Sequence, residues 1–169
     1  LAAHAARQDE VTTMREIVLD TETTGLDPDE GHRIVEIGCI ELLNRVPTGR
    51  TYHCYVNPQR DMPEGAFRVH GLSQMFLADK PLFAAVAEKF LEFVGDAALV
   101  IHNAAFDLKF LNAELARAGR PPLRTGVVDT LEIARRKFPG ALNSLDALCR
   151  RFAIDLAVRD LHGALVDCR

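Results

Sequence analysis

Glu16-Ile17-Val18-Leu19-Asp20-Thr21-Glu22-Thr23-Thr24-Gly25 is the stretch on which the reading of this chain turns. Its first half is a short apolar run ended by a polar cluster, the pattern of a buried strand. On an extended chain, residues two apart project to the same side. Asp20 and Glu22 therefore bring two carboxylates into one small volume at the C-terminal end of that strand. Like charges this close repel, and burial raises their pKa values, unless a cation lies between them. A hard divalent ion with oxygen ligands, Mg2+ or Mn2+, resolves the conflict. An Asp/Thr-rich turn with solvated carboxylates also fits, because so short a motif often matches by accident.

Working outward, residues 33–43 form a long β-branched run that predicts a second strand. Residues 44–49, with Pro47 and Gly49, predict a turn, and residues 50–56 a third strand, giving an antiparallel meander. Pro81 suits the first turn of a helix. Phe83, Val86, Ala87, Phe90 and Val94 follow at helical spacing, and Gly95 ends the run. Residues 98–101 predict a buried strand. Residues 104–118 predict a helix with Leu108, Leu111 and Leu115 on one face, stopped by Gly119 and Pro121. Val127-Val128 is a short fifth strand, and residues 131–137 a helix. Ser144 caps a further helix that presents Leu145, Leu148, Cys149 and Phe152 along one stripe. Strands in succession, then helices alternating with strands, imply an α/β chain: a mixed sheet with helices on its faces.

The 169 residues suffice for one domain with a sizeable core. Twenty Lys and Arg stand against 24 Asp and Glu, a formal net charge of −4. A protein that grips DNA through many phosphates is usually basic. This one either avoids nucleic acid or meets a short strand through a metal site. The four cysteines contain no C-x-x-C pair, which reads as a reduced, cytoplasmic chain without zinc. No apolar run reaches the roughly 18 residues that span a bilayer. Residues 1–13 show no signal-peptide pattern. They are read as a leader or non-native extension, because Met14 stands directly before the first strand, with residues 14–169 as the domain.

Two further motifs carry chemistry. His102-Asn103-Ala104-Ala105-Phe106-Asp107 follows a predicted strand and opens a helix, placing Asp107 in its first turn, where the macrodipole favours a carboxylate. Asp107 as a simple helix stabiliser, with His102 and Asn103 as loop and cap residues, also fits. His162-Gly163-Ala164-Leu165-Val166-Asp167 places an imidazole at or before a helix start, with Asp167 a rise of roughly 7.5 Å away if helical. An imidazole titrates near neutral pH and can take a proton from water.

The order of these elements, D-x-E after the first strand, D on a helix after a later strand, and H-x4-D near the end, resembles the DEDDh exonucleases. The chain resembles the DnaQ-like epsilon, or proofreading, subunits of bacterial DNA polymerase III more closely than the superfamily at large. The segments that carry this are I-V-L-D-T-E-T-T-G-L, H-R-I-V-E-I-G-C-I-E-L-L-N-R, F-R-V-H-G-L-S, L-V-I-H-N-A-A-F-D, F-P-G-A-L-N-S-L-D-A-L-C-R-R-F and L-H-G-A-L-V-D, spread from Ile17 to Asp167.

The resemblance implies a ribonuclease H-like fold with a mixed five-stranded sheet. It implies two divalent cations, Mg2+ or Mn2+, held by Asp20, Glu22, Asp107 and Asp167. Asp20 would bridge both, Glu22 and Asp167 would complete the first site, and Asp107 would support the second. His162 falls at the general base. Asp20, Glu22, Thr23, His70 and Asp167 are the implied substrate contacts, with His70 against the terminal nucleotide. The implied reaction is hydrolysis of the 3′-terminal phosphodiester of single-stranded or frayed DNA, releasing nucleoside 5′-monophosphates. The implied partners are the polymerase III alpha and theta-like subunits. Relatives bind alpha through a tail that follows this point, so this chain is expected to lack that attachment. A DEDDh exoribonuclease acting on short RNA and an inactive polymerase-binding scaffold are the alternatives. Two departures stand out. The chain ends two residues after Asp167, so a short terminal helix is expected to anchor that residue poorly. Gly65 falls where some relatives place a substrate-facing Glu, with Glu64 as a candidate replacement.

Overall fold

A computed structural model describes residues 13–155 and 162–169, so the predicted leader lies, apart from Thr13, outside the described residues. Five strands form one sheet in the order β3-β2-β1-β4-β5. Strand β1 (Arg15–Thr23) pairs antiparallel with β2 (Ile34–Leu43), and β2 pairs antiparallel with β3 (Val46–Tyr55). On the other side, β1 runs parallel to β4 (Ala98–Ile101), and β4 parallel to β5 (Val127–Asp129). This is the expected mixed, ribonuclease H-like sheet.

Side-chain alternation divides the sheet into two faces. Ile17 and Leu19 of β1, Ile37 and Cys39 of β2, and Leu99 and Ile101 of β4 form one buried surface. Against it pack α3 (Phe83–Val94), through Phe83, Ala87, Phe90 and Val94, and α4 (Ala104–Arg117), through Phe110, Leu111 and Leu115. Burying apolar side chains of this size stabilises by about 1.5–3 kcal/mol each, which makes this layer the main source of stability. The opposite face of β1 and β2 carries Asp20, Glu22, Glu36 and Gly38, and the last helix, α7 (Ala164–Asp167), rests on it.

Several sequence expectations need correction. The turn predicted over residues 44–49 is only Asn44-Arg45, both at positive φ (51° and 66°), a two-residue hairpin connection. Pro47 and Gly49 lie inside β3 instead. An edge strand tolerates the proline because one side of it has no ladder to complete. Pro81 lies outside α3, which starts at Phe83 with Leu82 as N-cap. Two helices went unpredicted: α1 (Glu64–His70) and α2 (Gln74–Leu77), the latter capped by Ser73. Helices α5 (Thr130–Lys137) and α6 (Leu145–Arg151) stand where expected, and the Ser144 hydroxyl accepts the Ala147 N–H as cap. None of the α6 residues is fully buried, and Phe152 is exposed, so its apolar stripe does not reach the core.

Candidate active site

The alternation read from the sequence holds in β1. Asp20 and Glu22 share a face at the strand's C-terminal end, with Gly38 directly across from Asp20 and Glu36 directly across from Glu22. The 310 turn and loop after β1 are tied back by Thr24, whose backbone N–H donates to Arg33 O at 2.9 Å.

Asp107 arrives from the other side of the sheet on the first turn of α4 and is almost completely buried. Its Oδ1 accepts two hydrogen bonds from Thr21, from the backbone N–H (3.0 Å) and from the hydroxyl (2.7 Å). Asn103 sits at the N-cap position of α4 with φ 69° but makes no side-chain cap bond there. Asp129 does that work instead. Its carboxylate accepts Asn103 N and Ala104 N as well as Leu131 N, joining the starts of α4 and α5. His102 is bonded through Nδ1 to the Thr130 hydroxyl. The expectation that His102 and Asn103 are loop residues holds for their backbones, and both also line the cleft beside Asp20.

His162 and Asp167 arrive on the last described segment. The His162 N–H donates to Val69 O in α1 (3.1 Å), so the unpredicted α1 holds the imidazole's backbone. His162 Nδ1 lies 3.1 Å from Asp167 Oδ2. Ligand atoms of Glu22, His162 and Asp167 all lie within 4.8 Å of one another. Asp167 is not loosely held. Helix α7 is seated on β2: Ala164 N–H donates to Glu36 Oε2 (3.2 Å) and the Cys168 thiol to Gly38 O (3.3 Å). The expectation of poor anchoring is corrected, because a short helix can be held by the sheet beneath it rather than by its own length.

The carboxylates act on one another's charge. Asp20 is held well above the usual carboxylate range, first by burial and then by the negative charges of Asp107, Glu22, Asp167 and Glu36. Burial also pushes Asp107 up to about 7, against the opposing Thr21 bonds. Such a cluster is unfavourable as bare charge, and its donor set of carboxylate oxygens and one imidazole is that of a divalent-cation site. The residues present fit such a group.

Among the cavities that border the cluster, two hold the residues singled out from sequence. One, of about 810 Å3, is bordered by Asp20, His162 and Asp167 and by the loop before α6. The other, of about 520 Å3, is bordered by Glu22, Thr23, Gly65, His70 and Phe106. Thr23 donates its hydroxyl to Gly25 O (2.6 Å). His70 accepts the Leu72 N–H at Nδ1 (3.0 Å), so the neutral ring carries its proton on Nε2. That nitrogen is buried, and the Thr23 backbone acts on the ring. Burial, and secondarily His162, hold His70 below the usual imidazole range, against a pull from Thr23. Glu64, the candidate replacement for the acid missing at Gly65, does not line this cavity. It is exposed and pairs with Arg68 at 2.7 Å. Phe106, Glu36 and His53 belong to the site or its support and were not singled out from sequence. For Phe106 the signal was its place directly before Asp107.

The model of the family described as Exonuclease matches residues 17–169. This chain belongs to the exonuclease family. Among curated members it is 56% identical over 161 residues to DNA polymerase III subunit epsilon of Rickettsia typhi, covering 93% of this chain and 70% of the relative. It is 49% identical to DNA polymerase III subunit epsilon of Escherichia coli K12, covering 92% of this chain and 67% of that one. Among solved structures it is similar to exonuclease X in complex with 5′ overhanging duplex DNA, at TM-score 0.70 and 27% identity, covering 90% of this chain and 84% of that one. It shares its fold with a zinc-bound form of the E. coli exonuclease I complex with single-stranded DNA, at TM-score 0.80 and 18% identity, covering 92% of this chain and 38% of that one.

Proposed function

We propose that this chain is the proofreading 3′→5′ exodeoxyribonuclease of a bacterial DNA polymerase III, hydrolysing the 3′-terminal phosphodiester and releasing nucleoside 5′-monophosphates. The observation that carries this reading is the convergence of Glu22, His162 and Asp167 within 4.8 Å, beside half-buried Asp20 and buried Asp107.

Two divalent cations, Mg2+ or Mn2+, would be held by Asp20, Glu22, Asp107 and Asp167. Bound there, they would acidify a water and offset charge on the scissile phosphate and the leaving 3′ oxygen. The chain's own groups do the rest. An ionised Asp167 only accepts hydrogen bonds, so His162 Nδ1 donates to it. That tautomer leaves the lone pair on Nε2, where the ring takes the proton of the attacking water. His162 is about half exposed, so its proton can leave to solvent between turnovers. Thr23 and His70 border the cavity next to Glu22, where the Nε2–H of His70 offers a donor to a polar atom of the terminal nucleotide. The acidic net charge is compatible with DNA because cations, not a lysine surface, meet the phosphate.

A mispaired 3′ end frays at lower cost than a matched one, so preference arises from strand separation rather than from base reading. The partners under this reading are the polymerase alpha subunit and a theta-like subunit, in the cytoplasm. Among the described residues no helix is long and apolar enough to cross a membrane.

The test is a timed digest of 3′-matched and 3′-mismatched DNA primers with Mg2+, beside an RNA of the same sequence. Monophosphate release, faster from the mismatched primer and slow from RNA, is expected. Preference for RNA would overturn the substrate, and no metal-dependent release from either would overturn the enzyme.

A further inference from the structure

Helix α7 carries Asp167, yet its own sequence supplies no cap. Its N-cap is Gly163, which has no side chain to offer. The first helical N–H, that of Ala164, is instead met by Glu36 Oε2 at 3.2 Å, from a strand 128 residues earlier. Glu36 is nearly completely buried and lies directly opposite Glu22. Its other oxygen, Oε1, accepts a 2.6 Å hydrogen bond from His53 Nε2 on β3. His53 is about one-third exposed and is itself steadied by edge-on packing against Tyr55, with ring centroids 4.9 Å apart. A chain of contacts thus runs from His53 on β3 through Glu36 on β2 to the start of α7, beside the Glu22–His162–Asp167 cluster.

We propose that Glu36, oriented by His53, is a positioning residue that clamps the start of α7 and thereby aims Asp167 and His162 at Glu22. This deepens the nuclease reading and rests on it. Both Glu36 oxygens are engaged by protein donors, Oε1 by His53 and Oε2 by Ala164, which turns the carboxylate toward the helix rather than into the ligand set. A buried polar group this well matched holds geometry, because breaking either bond leaves a desolvated partner behind. Outer partners of metal-ligating groups typically alter affinity or activity by about 10–100-fold when removed.

The experiment compares Glu36→Ala, Glu36→Gln and His53→Ala with the parent, in two arms. In the metal-free protein, hydrogen exchange of the Ala164 amide is followed by NMR. In the presence of Mg2+, kcat and KM on a 3′-mismatched primer are measured. Glu36→Ala is expected to lose protection at Ala164 and to lower kcat about 10–100-fold with little change in KM, since the nucleotide cavity is lined by other residues. Glu36→Gln can still accept from Ala164 with its amide oxygen while its NH2 meets a neutral His53, so it should recover most of both. His53→Ala should fall between. Unchanged Ala164 exchange and unchanged kcat in Glu36→Ala would overturn the proposal. So would a Glu36→Gln loss as deep as that of Glu36→Ala, which would make the charge itself the active element. If Glu36→Ala does not fold, parental exchange and kcat in His53→Ala overturn it alone. An inactive parent with the exchange pattern as expected would instead count against the nuclease reading and leave the clamp standing.

Discussion

Gly38 lies directly across the β1–β2 ladder from Asp20, and the side chain it lacks is the space that α7 occupies. A Cβ built at Gly38 would collide with the backbone of Ala164 and Leu165, so helix and sheet meet there at closest approach. A single missing methyl group thus sets the distance between the helix that carries Asp167 and the strand that carries Asp20.

Gly38→Ala should therefore push α7 off the sheet. Overpacking of this kind costs about 1–3 kcal/mol, and because the displaced helix carries a ligand, the exonuclease rate should fall by more than the stability loss explains. Urea unfolding together with a primer digest measures both. Gly65→Ala is the stability control, since nothing lies within 4 Å of its would-be Cβ. It should be neutral or gain up to about 1 kcal/mol in a helix.

Asp20 and Asp107 make a contribution to the stability of the metal-free protein that runs opposite to that of an ion-paired carboxylate. An unfolded chain releases these protons near pH 4, whereas burial keeps Asp107 protonated to about 7 and holds Asp20 well above its usual range. Between those limits the unfolded state binds fewer protons than the folded one. The contribution of these groups to stability therefore falls as pH rises. Cations bind the deprotonated form, so the rise in Tm on adding Mg2+ should be larger at about pH 8 than at about pH 5. Thermal unfolding at both pH values, with and without Mg2+, checks this, and an equal rise at both would contradict it.

His162→Ala should lower kcat by about 10²–10⁴-fold in a primer digest. A variant with the parent's rate would remove the imidazole from the mechanism.

Asp129 joins the starts of α4 and α5 through bonds to Asn103, Ala104 and Leu131. Asp129→Ala should cost about 1–2 kcal/mol, the scale of a lost N-cap. Urea unfolding measures it, and a smaller secondary fall in activity is expected because α4 carries Asp107.

The parts of this molecule that were legible from sequence share one property: their signal is local. Period-two alternation placed Asp20 and Glu22 on one face, and the strand-then-helix pattern around residues 98–107 placed Asp107. What escaped was set by contacts distant in sequence. Glu36 reads as an ordinary polar position in a strand, and one of its partners is the α7 backbone 128 residues away. Helix α1 buries only His70, so it leaves no apolar stripe to detect, although it holds His162 by its backbone. Phe152 departs in the opposite sense: helical spacing put it on an apolar stripe, whereas it lies exposed, against the ring of Phe138. The positive φ at Asn44 and Arg45 was likewise hidden, because a turn made of two non-glycine residues loses its place to the nearby Pro47 and Gly49.

The account stands most directly on cation binding. Calorimetric titration of the metal-free protein with Mn2+ should show a pair of sites whose heat is largely lost in Asp20→Ala and weakened in Asp167→Ala. Absence of binding, or binding unaltered in Asp20→Ala, would contradict it.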